Sequence, residues 1–414
     1  MGGDATGASS PFAMGRGSVA PSEGEMMRGH LYRRGETWTY VVDAGRDAAG
    51  RRRQKTKGGF RTKKDAQLAL NSVMHALQEG AYIEPTKVTI GEFLRATWLP
   101  AARGTLRPTT FSSYEMHVRC YLTPAFGHLQ LQQLTPAAIN AFYGSLREGF
   151  NGRQPLSPAS IRRVHATLHR ALRDAVRWQL IARNPATGAD PPKARRPEMK
   201  IWTPKQLHSF LGGASGDRNY ALWLFYVLTG VRRGEALALR WSDTDLQAGN
   251  VVIRRSLVPV DHRLVIGEPK TDRGRRQISL DARLAEELRH HRRRQAEEQE
   301  LIGPAFHDGD LVFAHPDGSP LRPEQVSRWF SALSQRTGVP AIRLHDLRHL
   351  HATLALAAGV PTRVVADRLG HATTAVTADI YQHVLPDLDR EAADKVAALV
   401  FPQPTDGRAI EVDV

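Results

Sequence analysis

The stretch His345-Asp346-Leu347-Arg348-His349 decides the fold and the chemistry predicted for this chain. Leu369-Gly370-His371 and Tyr381 follow it, and Thr229-Gly230-Val231-Arg232-Arg233-Gly234-Glu235 precedes it. Two guanidinium groups, from Arg232 and Arg348, can hold the non-bridging oxygens of a phosphodiester in forked hydrogen bonds. Histidines move protons near neutral pH, and a tyrosine hydroxyl can attack phosphorus to form a covalent intermediate. The residue types therefore predict chemistry on a phosphodiester.

These residues resemble the pattern of the tyrosine recombinase (phage-type integrase) family, of the lambda-integrase-like kind found in actinobacterial mobile elements. That pattern has an arginine in a T-G-x-R-x-G-E box, a lysine on a β-hairpin, an H-x-x-R box, a second His or Trp, and then a Tyr. The chain fills all six positions in order, with Arg232, Lys270, His345, Arg348, His371 and Tyr381. Each box alone is weakly specific, but six matches in order make chance agreement improbable.

The resemblance implies how the phosphate is held and attacked. Arg232 and Arg348 would clamp the scissile phosphate, and Tyr381 would be the nucleophile. Because the two arginines would supply the charge that a metal supplies elsewhere, the resemblance implies neither a metal ion nor a cofactor.

The resemblance also implies the proton transfers. His345 would exchange a proton with Tyr381, and His371 would donate a hydrogen bond to a phosphate oxygen. Lys270, in a turn between two predicted strands, would protonate the leaving 5′-hydroxyl. Arginines at 273, 275 and 276 lie close in sequence, so the sequence alone leaves the choice among these cations open.

A metal site is the competing interpretation of the histidines. His345 and His349 are four residues apart, and residues at that spacing share a helix face. The H-E-x-x-H pattern is absent, no cysteine lies nearby, and no acidic cluster follows. We therefore expect no metal site, and we interpret His349 and His351 as structural.

The composition indicates a polyanionic partner. Among 414 residues, 57 Lys and Arg face 42 Asp and Glu, a formal net charge of +15. Nucleic acid and an anionic membrane surface are the two candidates. No run of about 18 apolar residues predicts a spanning helix, and no signal-peptide pattern follows the N-terminus. The single Cys120 excludes an intramolecular disulfide, and a cytoplasmic location is the default expectation.

The N-terminal part predicts a small basic module after a disordered start. Residues 1–27 are rich in Gly, Ala and Ser without an apolar period, which favours disorder. Residues 28–85 are predicted to form a β-sheet, which ends at Gly58-Gly59, and a helix, and they resemble the arm-type DNA-binding domain of phage integrases. Residues 28–80 hold 12 Lys and Arg against 5 Asp and Glu, a net charge of +7. The alternative is a solvated hairpin with no partner.

Residues 88–185 are predicted to form a helical core-binding domain. Thr135-Pro136 and Ser157-Pro158 are typical helix starts, because proline is favoured in the first helical turn. After Ser157, apolar residues recur at helical spacing and form one face of the predicted helix, and arginines lie outside that face. This basic flank could bind phosphates or simply be solvated. Residues 186–200, rich in proline and basic residues, are predicted to be a linker.

Residues 201–400 are predicted to be the catalytic domain, which opens with a helix at Thr203-Pro204. It is predicted to be mainly α-helical with a small antiparallel sheet of three short strands around residues 251–253, 264–266 and 277–280. Residues 401–414 form a tail. The whole chain is thus predicted to be an α+β multidomain protein. The helical pattern in Leu388–Val400 could dock on a neighbouring subunit, as in the family, or pack on its own domain.

The predicted function is site-specific DNA recombination by an integrase that forms a 3′-phosphotyrosine and integrates or excises a mobile element. Its partners would be double-stranded DNA attachment sites, a homo-tetramer on DNA, and an excision factor or DNA-bending protein, with no membrane. Two alternatives stand beside it. One is strand relaxation like that of a type IB topoisomerase, and the other is a catalytically silent DNA-binding regulator.

Overall fold

The computed structural model describes residues 29–46, 50–78, 82–194, 199–261, 263–268, 274–371 and 373–374. The chain divides into two compact units, Met1–Ala194 and Arg195–Val414. Several predictions lie outside the described residues: the disordered start at 1–27, Lys270, Tyr381, the helical segment Leu388–Val400 and the tail at 401–414. Among the residues described, no helix is both long enough and apolar enough to cross a membrane.

The first unit begins with an antiparallel sheet and one helix. The strands β1 (Gly29–Arg34), β2 (Thr37–Arg46) and β3 (Arg52–Phe60) pair in the order β1-β2-β3. Helix α1 (Lys63–Gln78) packs Leu70 on Tyr40 and Val42, so one sheet face is covered. This confirms the predicted sheet-plus-helix order.

The end of β3 corrects one prediction. Gly58-Gly59 does not end this strand, which continues to Phe60. Gly59 has φ +91, and the register shifts between Trp38 and Tyr40 on the facing strand. The glycines therefore form a β-bulge, and the pairing of β2 with β3 continues beyond it. Glycine suits this position because it adopts a positive φ without a steric penalty.

The rest of the first unit is helical. Its α-helices are α2 (Ile90–Glu92), α3 (Leu99–Arg103), α4 (Pro108–His117), α5 (Thr123–Phe126), α6 (Pro136–Glu148) and α7 (Pro158–Arg177), with π-helical turns at Phe93–Trp98 and Val118–Leu122. Thr135 and Ser157 cap α6 and α7 by accepting from the amides of Ala138 and Ser160, which confirms both predicted starts. The apolar stripe of α7 is buried in a core that α2 to α6 complete.

The first residues of the predicted linker belong to the helical core. Pro185–Gly188 forms a 3₁₀ turn, and Ala186 and Ala189 are buried. Small apolar side chains at these positions pack under α6 and α7, which a proline-rich composition does not reveal.

The second unit is mainly helical. Its helices are α8 (Pro204–Ala214), α9 (Tyr220–Thr229), α10 (Arg233–Ala236), α11 (Ala282–Ile302), α12 (Pro323–Arg336), α13 (Asp346–Ala357) and α14 (Thr362–Leu369). Thr203 and Gln206 form a capping box, which confirms the predicted start of α8. Helix α9 is buried on nearly every side, and α8, α11, α12 and α13 contribute to the same core.

The strands of this unit form two small antiparallel sheets. The strands β4 (Thr244–Asp245), β5 (Asn250–Ile253) and β8 (Arg276–Ser279) pair in the order β4-β5-β8. The strands β6 (Ser256–Val260) and β7 (Arg263–Gly267) form a separate hairpin. The prediction of one sheet of three strands missed β4 and β6. Pro259 explains why β6 was not predicted, because proline argues against a strand that has a neighbour on each side. In the structure β6 pairs only with β7, and an edge strand tolerates proline.

Candidate active site

The first arginine of the site follows a glycine turn at the end of α9. Gly230 has φ +63, and a Cβ atom there would lie 2.6 Å from Cδ2 of Leu369 and 2.7 Å from Cδ2 of His351. Only glycine suits both the backbone angle and the space. The turn ends α9 and places Arg232 at the N-cap of α10.

Arg232 is held by Glu235, one turn later. The Arg232 amide donates to Oε2 of Glu235 at 2.9 Å, and Nη1 of Arg232 donates to Oε1 at 2.6 Å. The Glu235 side chain is 2% exposed, and the Arg232 side chain is 38% exposed. Glu235 is thus a local cap and ion-pair partner of Arg232.

Glu235 also binds a second, buried cation. Nη2 of Arg276, at the start of β8, donates to Oε2 of Glu235 at 2.9 Å. Burial opposes the charge of Glu235, but the attraction of Arg276 and then of Arg232 outweighs it, so the pKa of this carboxyl lies below its usual value. Glu235 therefore stays ionised and keeps both guanidinium groups in place.

Arg348, the third residue of α13, is the second arginine of the site and is 4% exposed. Its Nη1 donates to the carbonyl of Gly230 at 2.8 Å, and its Nη2 donates to the carbonyl of Leu369 at 2.7 Å. Nη2 of Arg232 donates to the carbonyl of Gly370 at 2.9 Å. The two arginines, separated by more than 100 residues in sequence, therefore meet at the turn that follows α14.

His371 comes directly after that turn. Gly370 is left-handed, with φ +69, and the amide of His371 donates to the carbonyl of Ala366 at 3.0 Å. Burial, and then the nearby charges of Arg348 and Arg232, lower the pKa of His371 to about 4. The imidazole is therefore neutral near pH 7 and lies beside both arginines.

His345 lies at the N-terminus of α13, one turn before Arg348. Burial, then His349 and Arg348, lower its pKa to about 4, although Asp346 acts in the opposite direction. The rings of His345 and His349 meet edge to face with centroids 5.3 Å apart. The imidazole is therefore neutral near pH 7, and the same shift makes it a weaker base than an ordinary histidine.

His351 has a structural contact, as predicted. Its Nδ1 donates to the carbonyl of Val227 in α9 at 2.9 Å, which ties α13 to α9. Within the described ranges, no group of three or more His, Cys, Asp or Glu is arranged to hold a metal ion.

The structure brings together Arg232, His345, Arg348 and His371, and Lys270 and Tyr381 lie outside the described residues. Arg276, which the sequence left as one of several cations beside Lys270, also belongs to this group of residues. The sequence did indicate that the Arg276 side chain faces inward. Arg276 and the buried Ile278 are two residues apart in β8 and therefore share a strand face. Arg275 points the other way, is 60% exposed and pairs with the exposed Glu268.

Three family models match separate parts of the chain. Residues 203–387 match the phage integrase family. Residues 30–77 match an arm DNA-binding domain, and residues 89–147 match the N-terminal SAM-like domain of phage integrases.

Full-length relatives are similar over most of the chain. A tyrosine recombinase XerC-like protein of Caldanaerobacter subterraneus is 27% identical over 380 residues, which is 87% of this chain and 95% of the relative. The ICEBs1 integrase of Bacillus subtilis is 26% identical over 88% of this chain and 98% of its own length.

Solved structures show the same fold. The Tn1549 transposon integrase in complex with a circular intermediate DNA aligns with a TM-score of 0.63 at 20% identity, covering 75% of this chain and all of that one. A lambda integrase dimer bound to a core site aligns with a TM-score of 0.55 at 20% identity, over 84% of this chain and 93% of that one.

Proposed function

Because the chain belongs to the phage integrase family and is a tyrosine-type site-specific DNA recombinase, we propose a division of labour among its residues. Tyr381 attacks the scissile phosphate, forms a 3′-phosphotyrosine and releases a 5′-hydroxyl. A 5′-hydroxyl from a partner duplex then attacks the phosphotyrosine and reseals the strand. The phosphotyrosine bond conserves the energy of the broken phosphodiester bond, so the reaction needs no ATP.

The meeting of Arg232, Arg348 and His371 around the turn after α14 carries this proposal. A phosphate placed there would face two guanidinium groups and an imidazole. Charge that develops on the phosphorane oxygens would be stabilised by donors that are already oriented, which is the most effective form of electrostatic catalysis. The arginines are oriented by backbone carbonyls and by Glu235, so little reorganisation is required during the reaction.

The histidines are suited to proton transfer and hydrogen bonding. In this proposal His345 accepts the proton of the Tyr381 hydroxyl once the negative charge of the bound phosphate has raised the pKa of His345 from its low value in the free protein. His371 donates a ring N–H to a non-bridging oxygen, and a bound phosphate would raise its affinity for a second proton. Lys270 protonates the leaving 5′-hydroxyl.

We further propose that four copies act together on two duplexes, because exchange of four strands needs four active sites. A lambda integrase tetramer bound to a Holliday junction has the same fold, with a TM-score of 0.53. Its DNA partners would be attachment sites of a mobile element, with an excision factor or DNA-bending protein as accessory, and its action would be cytoplasmic.

The test is covalent trapping on a nicked duplex that carries the attachment-site core, in buffer with excess chelator. Tyr381→Phe keeps the ring and removes only the hydroxyl, so DNA binding should persist while the covalent adduct disappears. Tyr220→Phe, in the same unit but away from the site, is the matched control and should form the adduct.

The outcomes separate the parts of the proposal. An adduct in Tyr381→Phe would place the nucleophile elsewhere. An adduct that needs a divalent ion would contradict the arginine clamp. Cleavage of single duplexes without exchange between two of them would favour relaxation over recombination.

A further inference from the structure

The guanidinium group of Arg276 binds α10, α14 and the segment just before its own strand, β8. Its Nη2 donates to Oε2 of Glu235 at 2.9 Å, its Nε donates to the carbonyl of Arg368 at 2.6 Å, and its Nη1 donates to the carbonyl of Gly274 at 3.2 Å. The side chain is 7% exposed. Its hydrogen bonds therefore connect β8, α10 and the C-terminus of α14.

The C-terminus of α14 receives three guanidinium groups in a row. The carbonyls of residues 368, 369 and 370 accept from Arg276, Arg348 and Arg232, respectively. The last carbonyls of a helix lack intrahelical partners and form the negative end of the helix dipole, so cations are favoured there. Two of these arginines are the proposed phosphate clamp. Arg276 is the third, and it is the one that also binds the carboxylate holding Arg232.

All three guanidinium nitrogens of Arg276 donate to protein acceptors, and the position of Arg276 determines where the clamp lies. Without it, Glu235 would hold only Arg232, and the carbonyl of Arg368 would have no guanidinium partner. Glu235 is 2% exposed, so water cannot readily replace the missing cation. Both supports of Arg232, the carboxylate and the turn at Gly370, would then be free to shift.

We propose that Arg276 is a positioning residue for strand cleavage, which acts by fixing Glu235 and the turn after α14 so that Arg232 and His371 face the phosphate together. This inference rests on the proposed function of Arg232 and His371. It adds a third arginine that never touches the DNA and on which the geometry of the clamp depends.

The primary experiment measures single-turnover cleavage of the nicked core-site duplex at saturating protein. Arg276→Gln should slow cleavage on the order of 100-fold, the cost of a displacement of about 1 Å at a reacting centre. Affinity for the duplex should be unchanged. Arg275→Gln removes the same charge from the adjacent exposed position and should cleave like the unmodified protein. Arg276→Lys keeps the charge and should recover part of the rate.

A double-mutant cycle with Arg232→Lys tests whether Arg276 acts through Arg232. If it does, Arg276→Gln should cost far less in the Arg232→Lys background than alone, because residues that act as a unit are not additive. Equal costs in both backgrounds would overturn the proposal. If Arg276→Gln does not fold, the same cycle is run with Arg276→Lys.

A second readout is independent of activity. Hydrogen–deuterium exchange of the amides at residues 366–371 should accelerate in Arg276→Gln and not in Arg275→Gln. Unchanged exchange, or cleavage at the unmodified rate, would overturn the positioning role. Absence of any adduct in the unmodified protein would instead contradict the proposed function, so the two failures are distinguishable.

Discussion

At the scale of single residues, the site depends on how its guanidinium groups are oriented. Arg232 and Arg348 both donate to carbonyls in left-handed glycine turns, at Gly370 and Gly230. A flexible arginine side chain loses considerable rotamer entropy when it is fixed, and here folding fixes it before DNA binds. The glycines therefore contribute to the proposed phosphate site through their backbone conformation.

Replacement of Gly230 by alanine should damage stability and cleavage together. The new Cβ would approach Leu369 and His351 to within 2.7 Å, at a backbone angle that alanine rarely adopts. We expect a loss of at least about 1–3 kcal/mol in the free energy of unfolding. Cleavage should fall further, because the carbonyl that holds Arg348 must move. Thermal unfolding and single-turnover cleavage measure the two effects.

The control for this change is Gly212→Ala. Gly212 lies within α8, and a Cβ there has no neighbour within 4 Å. Alanine should be neutral or stabilising by about 0.5–1 kcal/mol in a helix interior. If Gly230→Ala behaved like Gly212→Ala, the left-handed turn would not be required.

At the scale of elements, α11 is docked by buried polar groups. Nε2 of His291 donates to the carbonyl of Val312 at 2.7 Å, and the Gln295 amide donates to the carbonyl of Leu311 at 3.1 Å. Burial lowers the pKa of His291 to about 4, and its hydrogen bond to Val312 offsets only part of that effect. The helix is thus held by a histidine that must stay neutral.

Acid should therefore weaken the docking of α11. The pKa of His291 is lower in the folded state than in the unfolded chain, so unfolding binds protons and stability falls as pH drops from about 6.5 towards 4. Between pH 7 and pH 5, this one group should remove on the order of 2 kcal/mol. Hydrogen–deuterium exchange of the α11 amides, corrected for intrinsic rates, measures the loss of protection.

Two variants identify the group responsible. His291→Gln should show a smaller loss of protection between the two pH values, although it is less stable at pH 7. His290→Gln changes the neighbouring exposed histidine and should retain the full pH dependence. Identical pH profiles for His291→Gln and the unmodified protein would assign the effect to other histidines.

At the scale of the whole molecule, positive charge is concentrated in the N-terminal module. Residues 28–80 have a net charge of +7, and much of it lies on the three-stranded sheet of β1 to β3. Exposed lysines and arginines on such a sheet suit a second DNA-binding surface. A match of residues 30–77 to an arm DNA-binding domain supports this assignment.

Deletion of residues 1–80 should separate the two modes of DNA binding. Cleavage of a short core site should remain largely intact, whereas affinity for a longer attachment site should fall. The salt dependence on the long site should become shallower, by about 0.9 in log–log slope for each phosphate that the deleted protein no longer neutralises. Equal affinity and equal slope for the deleted and full-length proteins would show that this charge is only a solvated surface.

Local sequence determined much of this molecule. Thr135, Ser157 and Thr203 each precede a proline, and each caps the helix whose start it predicts. Capping and proline preference act within one turn, so they can be recognised without tertiary information. The family boxes are equally local, and by themselves they predict Arg232, His345, Arg348 and His371 as site residues.

Only the tertiary structure decided what holds those residues together. The three arginines at α14 come from the N-cap of α10, from β8 and from α13, and each donates to a backbone carbonyl, a contact that the family boxes do not predict. In sequence, Arg276 is one of several neighbouring cations, set apart by its two-residue spacing from Ile278, and its burial against Glu235 shows which partner it takes. Long-range packing decides which charged groups are desolvated, and a desolvated charge is stable only when it is paired with an opposite charge or a hydrogen-bonding group of the protein.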